Sequence, residues 1–519
     1  MEAEDNIVYA ASHERLTGRN TPAEAAAMKP APPKTEPSSV TKRRGLIFGG
    51  LPNTLATFLL ATLAVIAATA KDRPLSLHPD NPHYFLWRGQ PTVLLTSAEH
   101  YGAVVNLDFD YALYLKELEA RKFNNTRVFS GAYVESPNDF NLTQNPLSPA
   151  AGRFIAPWAR SGQPGYANGG NKFDLARWDE KYFQRLRDFV KQAGRCGVVV
   201  EMNLFCPFYE ESQWQLSPQN SINNINGVGN LARTRVYTLD QSGGLLAVQE
   251  AMTRKLVTEL NEFDNLYYEI CNEPYFGGVT MAWQHHIADV IVAREQALPN
   301  RHLISHNIAN GSAKIAPPHP AISIFNFHYA SPPNAVAENY ALNKVIGNNE
   351  TGFQGTNNTH YRMEAWGFIL AGGALHNNLD WSFVAGHERG NFAYPAKTPG
   401  GGNAELRRQL TVLRDFIHAF DFVRMKPDLG FIQSGVPAKL QANALMEAGR
   451  QYAVHFFDHG NSAPQSLSLT LVLPGGDYDI KWVDVFSGKP TKLERVKSSG
   501  SITINSPEFQ REIALSIRR

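Results

Sequence analysis

Cysteine is scarce in this chain of 519 residues: Cys196, Cys206 and Cys271 are the three present, in no paired spacing. An odd number without a C-x-x-C pair argues against a disulfide framework and a thiolate metal centre, and leaves three small apolar groups for packing. Charge imbalance is missing too. Lys+Arg 49 against Asp+Glu 48 leaves a net charge of +1, which gives no electrostatic footprint for nucleic acid or for an anionic surface. No repeat of solenoid period occurs. No cluster of His and Asp stands at the ends of apolar runs, as a hydrolytic metal centre would need. The expectation is a neutral partner and chemistry with no metal and no other cofactor.

Long uncharged hydrophobic runs are also lacking, with one exception. Residues 45–70, "GLIFGGLPNTLATFLLATLAVIAATA", carry no charge and follow the basic cluster Lys42-Arg43-Arg44. The preceding residues 1–44, rich in Ala, Pro, Ser and charges, have the composition of a disordered tail. The run is long enough for a bilayer, which takes about 20 residues. It also suits a secretory segment with a small-residue cleavage site at Ala68-Thr69-Ala70. The basic cluster sets the cytoplasmic side, so residues 71 onward are expected outside the cytoplasmic membrane, released or anchored. Met28 is an alternative start that shortens the charged lead.

What is present is a globular composition, 43% hydrophobic and 11% aromatic, sufficient for one large domain and a smaller one. From residue 71 short apolar strands alternate with amphipathic segments, the pattern of parallel βα units. "TVLLTS" (92–97), "TRVFSG" (126–131), "VVVEMNLF" (198–205), "NLYYEIC" (265–271), "HLISH" (302–306), "ISIFNFHY" (322–329), "KVIGNNE" (344–350) and "NNLDWSF" (377–383) make eight strands. Eight such units predict a (β/α)8 TIM barrel over 71–427. Two long aromatic-bearing segments, about 132–172 and 207–243, follow strand ends and are expected to wall a cleft. Beyond "MKPDLG" the strands alternate in polarity between Gly and Pro turns, with Leu467, Leu469, Leu471 and Leu473 on one face. This predicts a β-sandwich over 428–519.

In "NLYYEICNEP" strand-forming residues run directly into Asn272-Glu273-Pro274, and Pro274 cannot continue a hydrogen-bond ladder. Glu273 therefore stands at the C-terminal end of strand four, the face where barrels do chemistry. Glu350, in "VIGNNETGF", holds the same position on strand seven. Two carboxylates facing across one cleft suit glycosidic cleavage, one protonating the leaving oxygen and one attacking carbon or activating water.

Arg127 in "NTRVF", the Asn272-Glu273-Pro274 triplet, His328-Tyr329 in "FNFHY", Glu350, and Trp381 in "LDWSF" together resemble glycoside hydrolase clan A, above all its cellulase-like family 5 enzymes, over residues 76–425. The resemblance implies a retaining hydrolase of poly- or oligosaccharides. Glu273 would be the acid/base, Glu350 the nucleophile, Asn272 a ligand of the sugar 2-hydroxyl, Arg127 the partner that keeps Glu350 ionised, His328 or Tyr329 a contact to nucleophile or sugar, and Trp381 a stacking floor. An inactive cell-surface carbohydrate-binding protein on the same scaffold is the alternative. Several points stay open in the sequence. Arg127 could also neutralise Glu269 inside the barrel. Strand register decides which of His328 and Tyr329 points inward. Trp158, Tyr166, Phe208, Tyr209 and Trp214 could form sugar platforms or pin their loops. Glu99, His100, Glu201 and Asn203 are further candidates to line the cleft.

Overall fold

The computed structural model describes residues 73–460 and 463–519. The tail 1–44 and the apolar run 45–70 lie outside them, and among the described residues no helix is long and apolar enough to cross a membrane.

Eight strands form one parallel sheet: β1 Leu94–Ala98, β2 Asn125–Phe129, β3 Val199–Phe205, β4 Leu266–Cys271, β5 Ile304–Asn310, β6 Ile322–His328, β7 Val345–Thr351 and β8 Leu375–Leu379. Their order is β1-β8-β7-β6-β5-β4-β3-β2. The first and last strands meet through Asn124, whose side chain accepts from the Leu95 amide (2.8 Å) and donates to the Val93 carbonyl (2.9 Å), a pairing that closes the barrel. Every residue of β1, β2, β3, β4, β7 and β8 is buried, as expected for strands covered on both faces.

The covering helices are α1 Tyr111–Ala120, α2 Glu180–Arg195, α3 Leu245–Leu260, α4 Met281–Gln296, α5 Asn334–Asn339, α6 Asn358–Leu370 and α7 Ala404–Ile417. Side-chain caps from Asp110, Asp179, Thr280, Asn357 and Asn403 start α1, α2, α4, α6 and α7, satisfying amides that the first turn leaves unpaired. On α2, Tyr182, Phe183, Leu186, Phe189, Val190 and Ala193 form the buried stripe. Two details differ from the sequence pattern. No helix joins β5 to β6, where residues 311–321 form a partly exposed loop. Strand eight runs 375–379 instead of 377–383, so Trp381 sits in the loop beyond it.

The long segment after β2 folds into a hairpin, Trp158–Pro164 with Asn171–Trp178, and the one after β3 carries a short helix, Glu211–Leu216. Trp158, Tyr166, Phe208 and Trp214 are buried and pin these loops down; Tyr209 alone of the five reaches a glutamate at the strand ends, Glu273.

The C-terminal part is all antiparallel: β9 Lys426–Pro427, β10 Ile432–Ser434, β11 Gln441–Glu447, β12 Gln451–Phe457, β13 Ser468–Val483, β14 Pro490–Asn505 and β15 Glu512–Arg518. It is one sheet, ordered β9-β11-β12-β15-β13-β10 with β14 on β13, where two facing sheets were expected. β13 changes partner along its length, from β10 at Thr470 and Leu471 to β15 from Asp479 onward, with a register shift between Leu473 and Gly476. The predicted leucine face is buried with Val454, Phe456, Trp482 and Leu515 in a core of its own. A buried charge network ties this sheet to the barrel. Arg362 of α6 binds Glu512 and donates to Gln409 of α7, while His455 contacts the other Glu512 oxygen at 3.1 Å.

Candidate active site

Residues at the C-terminal ends of the strands converge on two glutamates. Glu350, near the end of β7, has one carboxylate oxygen accepting from the Tyr329 hydroxyl (2.6 Å) and the other from Tyr101 (2.9 Å) and Arg127 Nη1 (3.2 Å). Glu273, just beyond β4, accepts from Tyr209 (2.7 Å) on one oxygen and from Tyr275 (3.1 Å) on the other. His328 Nδ1 lies 3.2 Å from Glu273 and 3.6 Å from Glu350, so the tautomer that fits carries its proton on Nδ1. One oxygen of each glutamate and a His328 nitrogen all lie within 4.8 Å of one another.

The open question of His328 against Tyr329 has a backbone answer. The β6–β7 register shifts between Phe327 and His328, and Tyr329 has φ of 52°; the kink lets consecutive side chains both point inward, which regular strand alternation forbids. Left-handed backbone is uncommon for residues other than glycine and clusters at functional sites. Tyr101, Phe140, Glu273, Tyr329 and Phe353 all adopt it, and all five lie around the glutamate pair.

Arg127 contacts both of the carboxylates between which the sequence left it. Fully buried on β2, it contacts Glu350, Glu269 and Glu201 at once, with Nε 2.7 Å from Glu201, and donates to Asn272 Oδ1 (2.8 Å). Asn272 in turn donates to the Tyr209 hydroxyl (2.8 Å). Glu269 also accepts from Asn203, Ser305, Asn326 and Asn349. Glu201 and Asn203 thus sit beneath the cleft as parts of Arg127's support. Glu99 turns away as well, accepting from the amides of Gly102 and Ala103. His100 pairs with Glu135 (3.1 Å) and packs against Trp381 at 4.9 Å between ring centroids. Trp381 is buried, with Gly400 so close that a β-carbon there would lie 1.7 Å from the indole nitrogen.

Burial raises the Glu273 pKa, but donation from His328 with smaller help from Tyr209 and Tyr275 outweighs it, and the net direction is down. An acid role calls for a protonated Glu273 in the free protein; three donors that all favour the carboxylate pull the other way. Burial lifts Tyr101, Tyr209 and Tyr329 well above the usual phenol range, so they act as neutral donors. Glu201 is raised to about 8 by burial and by the nearby Glu269 charge, against the pull of Arg127.

Glu273, His328 and Glu350 are also the one trio among the described residues spaced to hold a metal ion. Their carboxylate oxygens already accept from four tyrosine hydroxyls and a guanidinium, a setting suited to hydrogen-bonded carboxylates. Three contributors were not singled out from sequence: Tyr101, Tyr275 and Glu135. Tyr101 and Tyr275 follow strand ends by a few residues, the same signal that marked Glu273. Tyr209, in sequence a candidate sugar platform or loop anchor, donates its hydroxyl to Glu273.

A closed parallel barrel with paired glutamates on strands four and seven, followed by an antiparallel sheet, is the class of structure defined here. In fold the chain is similar to a putative glycoside hydrolase from Bacteroides vulgatus ATCC 8482 (TM-score 0.59, 15% identity, covering 86% of this chain and 83% of that one). It is also similar to a glycoside hydrolase family 5 protein from the same organism (TM-score 0.58, 13% identity, 86% and 94% covered) and to a third glycoside hydrolase (TM-score 0.59, 14% identity, 86% and 97% covered). No protein-family model matches the chain, and no curated protein matches it.

Proposed function

We propose that the protein is a retaining glycoside hydrolase acting on a carbohydrate, exported beyond the cytoplasmic membrane by its N-terminal segment. The observation that carries the reading is the glutamate pair, one oxygen of each lying within 4.8 Å of one of the other, with different partners on each side. Retaining enzymes hold their two carboxyl groups about 5–5.5 Å apart, whereas inverting ones leave room for water at about 6.5–9.5 Å.

In the first step the Glu350 carboxylate attacks the anomeric carbon while Glu273 gives its proton to the departing glycosidic oxygen. In the second, Glu273 takes a proton from water, whose oxygen attacks the same carbon and releases Glu350. Arg127, Tyr101 and Tyr329 donate to Glu350 and fix its direction of attack. A leaving oxygen that displaces His328 or Tyr275 from Glu273 removes donors favouring the carboxylate, and burial then favours the acid. Asn272 and Trp381 are assigned to the sugar 2-hydroxyl and to the floor under the ring.

The test is a pair of variants. Glu350→Ala abolishes turnover of all glycosides. Glu273→Ala is still glycosylated by a substrate with an activated leaving group, and azide rescues its second step. Full turnover in Glu350→Ala overturns the assignment.

A further inference from the structure

We propose that the glutamate pair lies at the blind end of a pocket walled by Phe140 and Phe353, so that the enzyme removes terminal sugars or cleaves small glycosides and does not cut inside a polymer. This rests on the glycosidase reading above and specifies its substrate class.

The argument begins with a continuous line of aromatic rings. Tyr209, bonded to Glu273, packs edge-on against Phe140 at 5.6 Å between centroids. Phe140 meets Phe353 at 6.2 Å. Phe353 meets Tyr329, bonded to Glu350, at 6.1 Å and Trp381 at 5.8 Å. Phe140 comes from the loop after β2 and Phe353 from the loop after β7. Their contact therefore joins the two sides of the barrel mouth over the interval between the catalytic pair. Aromatic rings at 4.5–7 Å between centroids are in contact. A sugar threaded between two ring faces needs about 7–8 Å, twice the optimal carbon–carbon approach. No chain passes there without separating them.

Both phenylalanines hold left-handed backbone, φ 55° and 58°, a conformation that is costly for a bulky residue. The cost is tolerated where the ring has to occupy that place. On the opposite side the connecting segments are shorter than those after β2 and β3. The β5–β6 link has no helix, and a few residues separate β6 from α5. Glu273 and Glu350 are 8% and 6% exposed, while Tyr275, Phe276 and Phe353 at the rim are 37–38% exposed. A terminal sugar entering from the β5–β6 side meets the glutamates and stops at the phenylalanine pair, leaving its aglycone outside.

The test uses the full chain and the variants Phe140→Ala, Phe353→Ala and the double variant. Substrates are reducing-end-labelled β-linked gluco- and manno-oligosaccharides, soluble galactomannan, carboxymethylcellulose and a set of aryl monoglycosides. The expected first product of the wild type is monosaccharide alone, with polymer viscosity unchanged. In the double variant the ratio of internal to terminal cuts rises by about tenfold or more. Early oligosaccharide products or falling viscosity with the wild type overturn the inference while leaving the glycosidase reading intact. So does a double variant that still releases monosaccharide alone. Failure on every substrate, aryl monoglycosides included, overturns the glycosidase reading itself and this inference with it.

Discussion

Substituting Glu201 by glutamine probes the buried charge balance under the active site. Among the described residues Arg127 is the one guanidinium or ammonium in contact with Glu201, Glu269 and Glu350, so one carboxylate of the three is poorly compensated. Burial and the Glu269 charge raise Glu201 from 4.5 to about 8, so it carries a proton in the folded protein that an unfolded chain releases. Between these pH values the folded state binds more protons, and stability falls as pH rises. The contribution is fully present below about pH 4.5 and lost by about pH 8. At about 1.4 kcal/mol per pH unit, the interval corresponds to a loss on the order of 5 kcal/mol. Glutamine copies the protonated form in shape and removes the titration. Urea unfolding of wild type and Glu201→Gln from about pH 5 to about pH 9 measures it. The two should agree within about 1 kcal/mol at the acid end, and the variant should become the more stable by several kcal/mol at the alkaline end. Parallel pH profiles, or a variant several kcal/mol weaker at pH 5, would show that Glu201 is an ionised partner of Arg127 and refute the reasoning.

Other outcomes follow from the same structure. Arg362→Met leaves Glu512 buried without its cation and should destabilise the protein by about 3–5 kcal/mol in thermal or urea unfolding, with much of the loss recovered in the Arg362→Met/Glu512→Met double variant. The lowered Glu273 pKa places the basic limb of kcat/KM below neutrality, giving an acidic optimum. Tyr209→Phe removes a donor to the carboxylate, which raises the Glu273 pKa and moves that limb to higher pH; a limb that stays in place contradicts Glu273 as the acid. A reporter fused after residue 75 should be active outside the cytoplasmic membrane, and mature protein beginning at Lys71 would distinguish cleavage from a retained anchor.

The barrel was legible because its signals are local. Strands buried on both faces read as short apolar runs, and Pro274 marks where one of them stops. The glutamates were legible for the same reason, each standing where such a run ends. The hydrogen-bond partners were less so. Tyr209 and Phe140 sit in long loops whose path depends on which aromatics become buried, and Trp158, Tyr166, Phe208 and Trp214 give no sequence sign of that difference. The joint inward placement of His328 and Tyr329 depends on a register shift between β6 and β7, a property of two strands that are distant in sequence. The direction of the Glu273 pKa was hidden for a related reason: it is set by His328, Tyr209 and Tyr275 together, with His328 at the end of β6 and Tyr209 in the loop after β3. In the C-terminal part, leucine alternation revealed the buried face but not that one sheet, shifting register near Gly476, would supply it.

The most direct test of the central claim is covalent trapping. A 2-deoxy-2-fluoro glycoside with an activated leaving group slows the second step more than the first, so the glycosyl-enzyme accumulates and its site can be mapped by peptide mass spectrometry. The account predicts a single adduct on Glu350, absent in Glu350→Ala and formed in Glu273→Ala. An adduct on Glu273 or on another carboxylate, or turnover that yields the inverted anomer with no adduct, would contradict it.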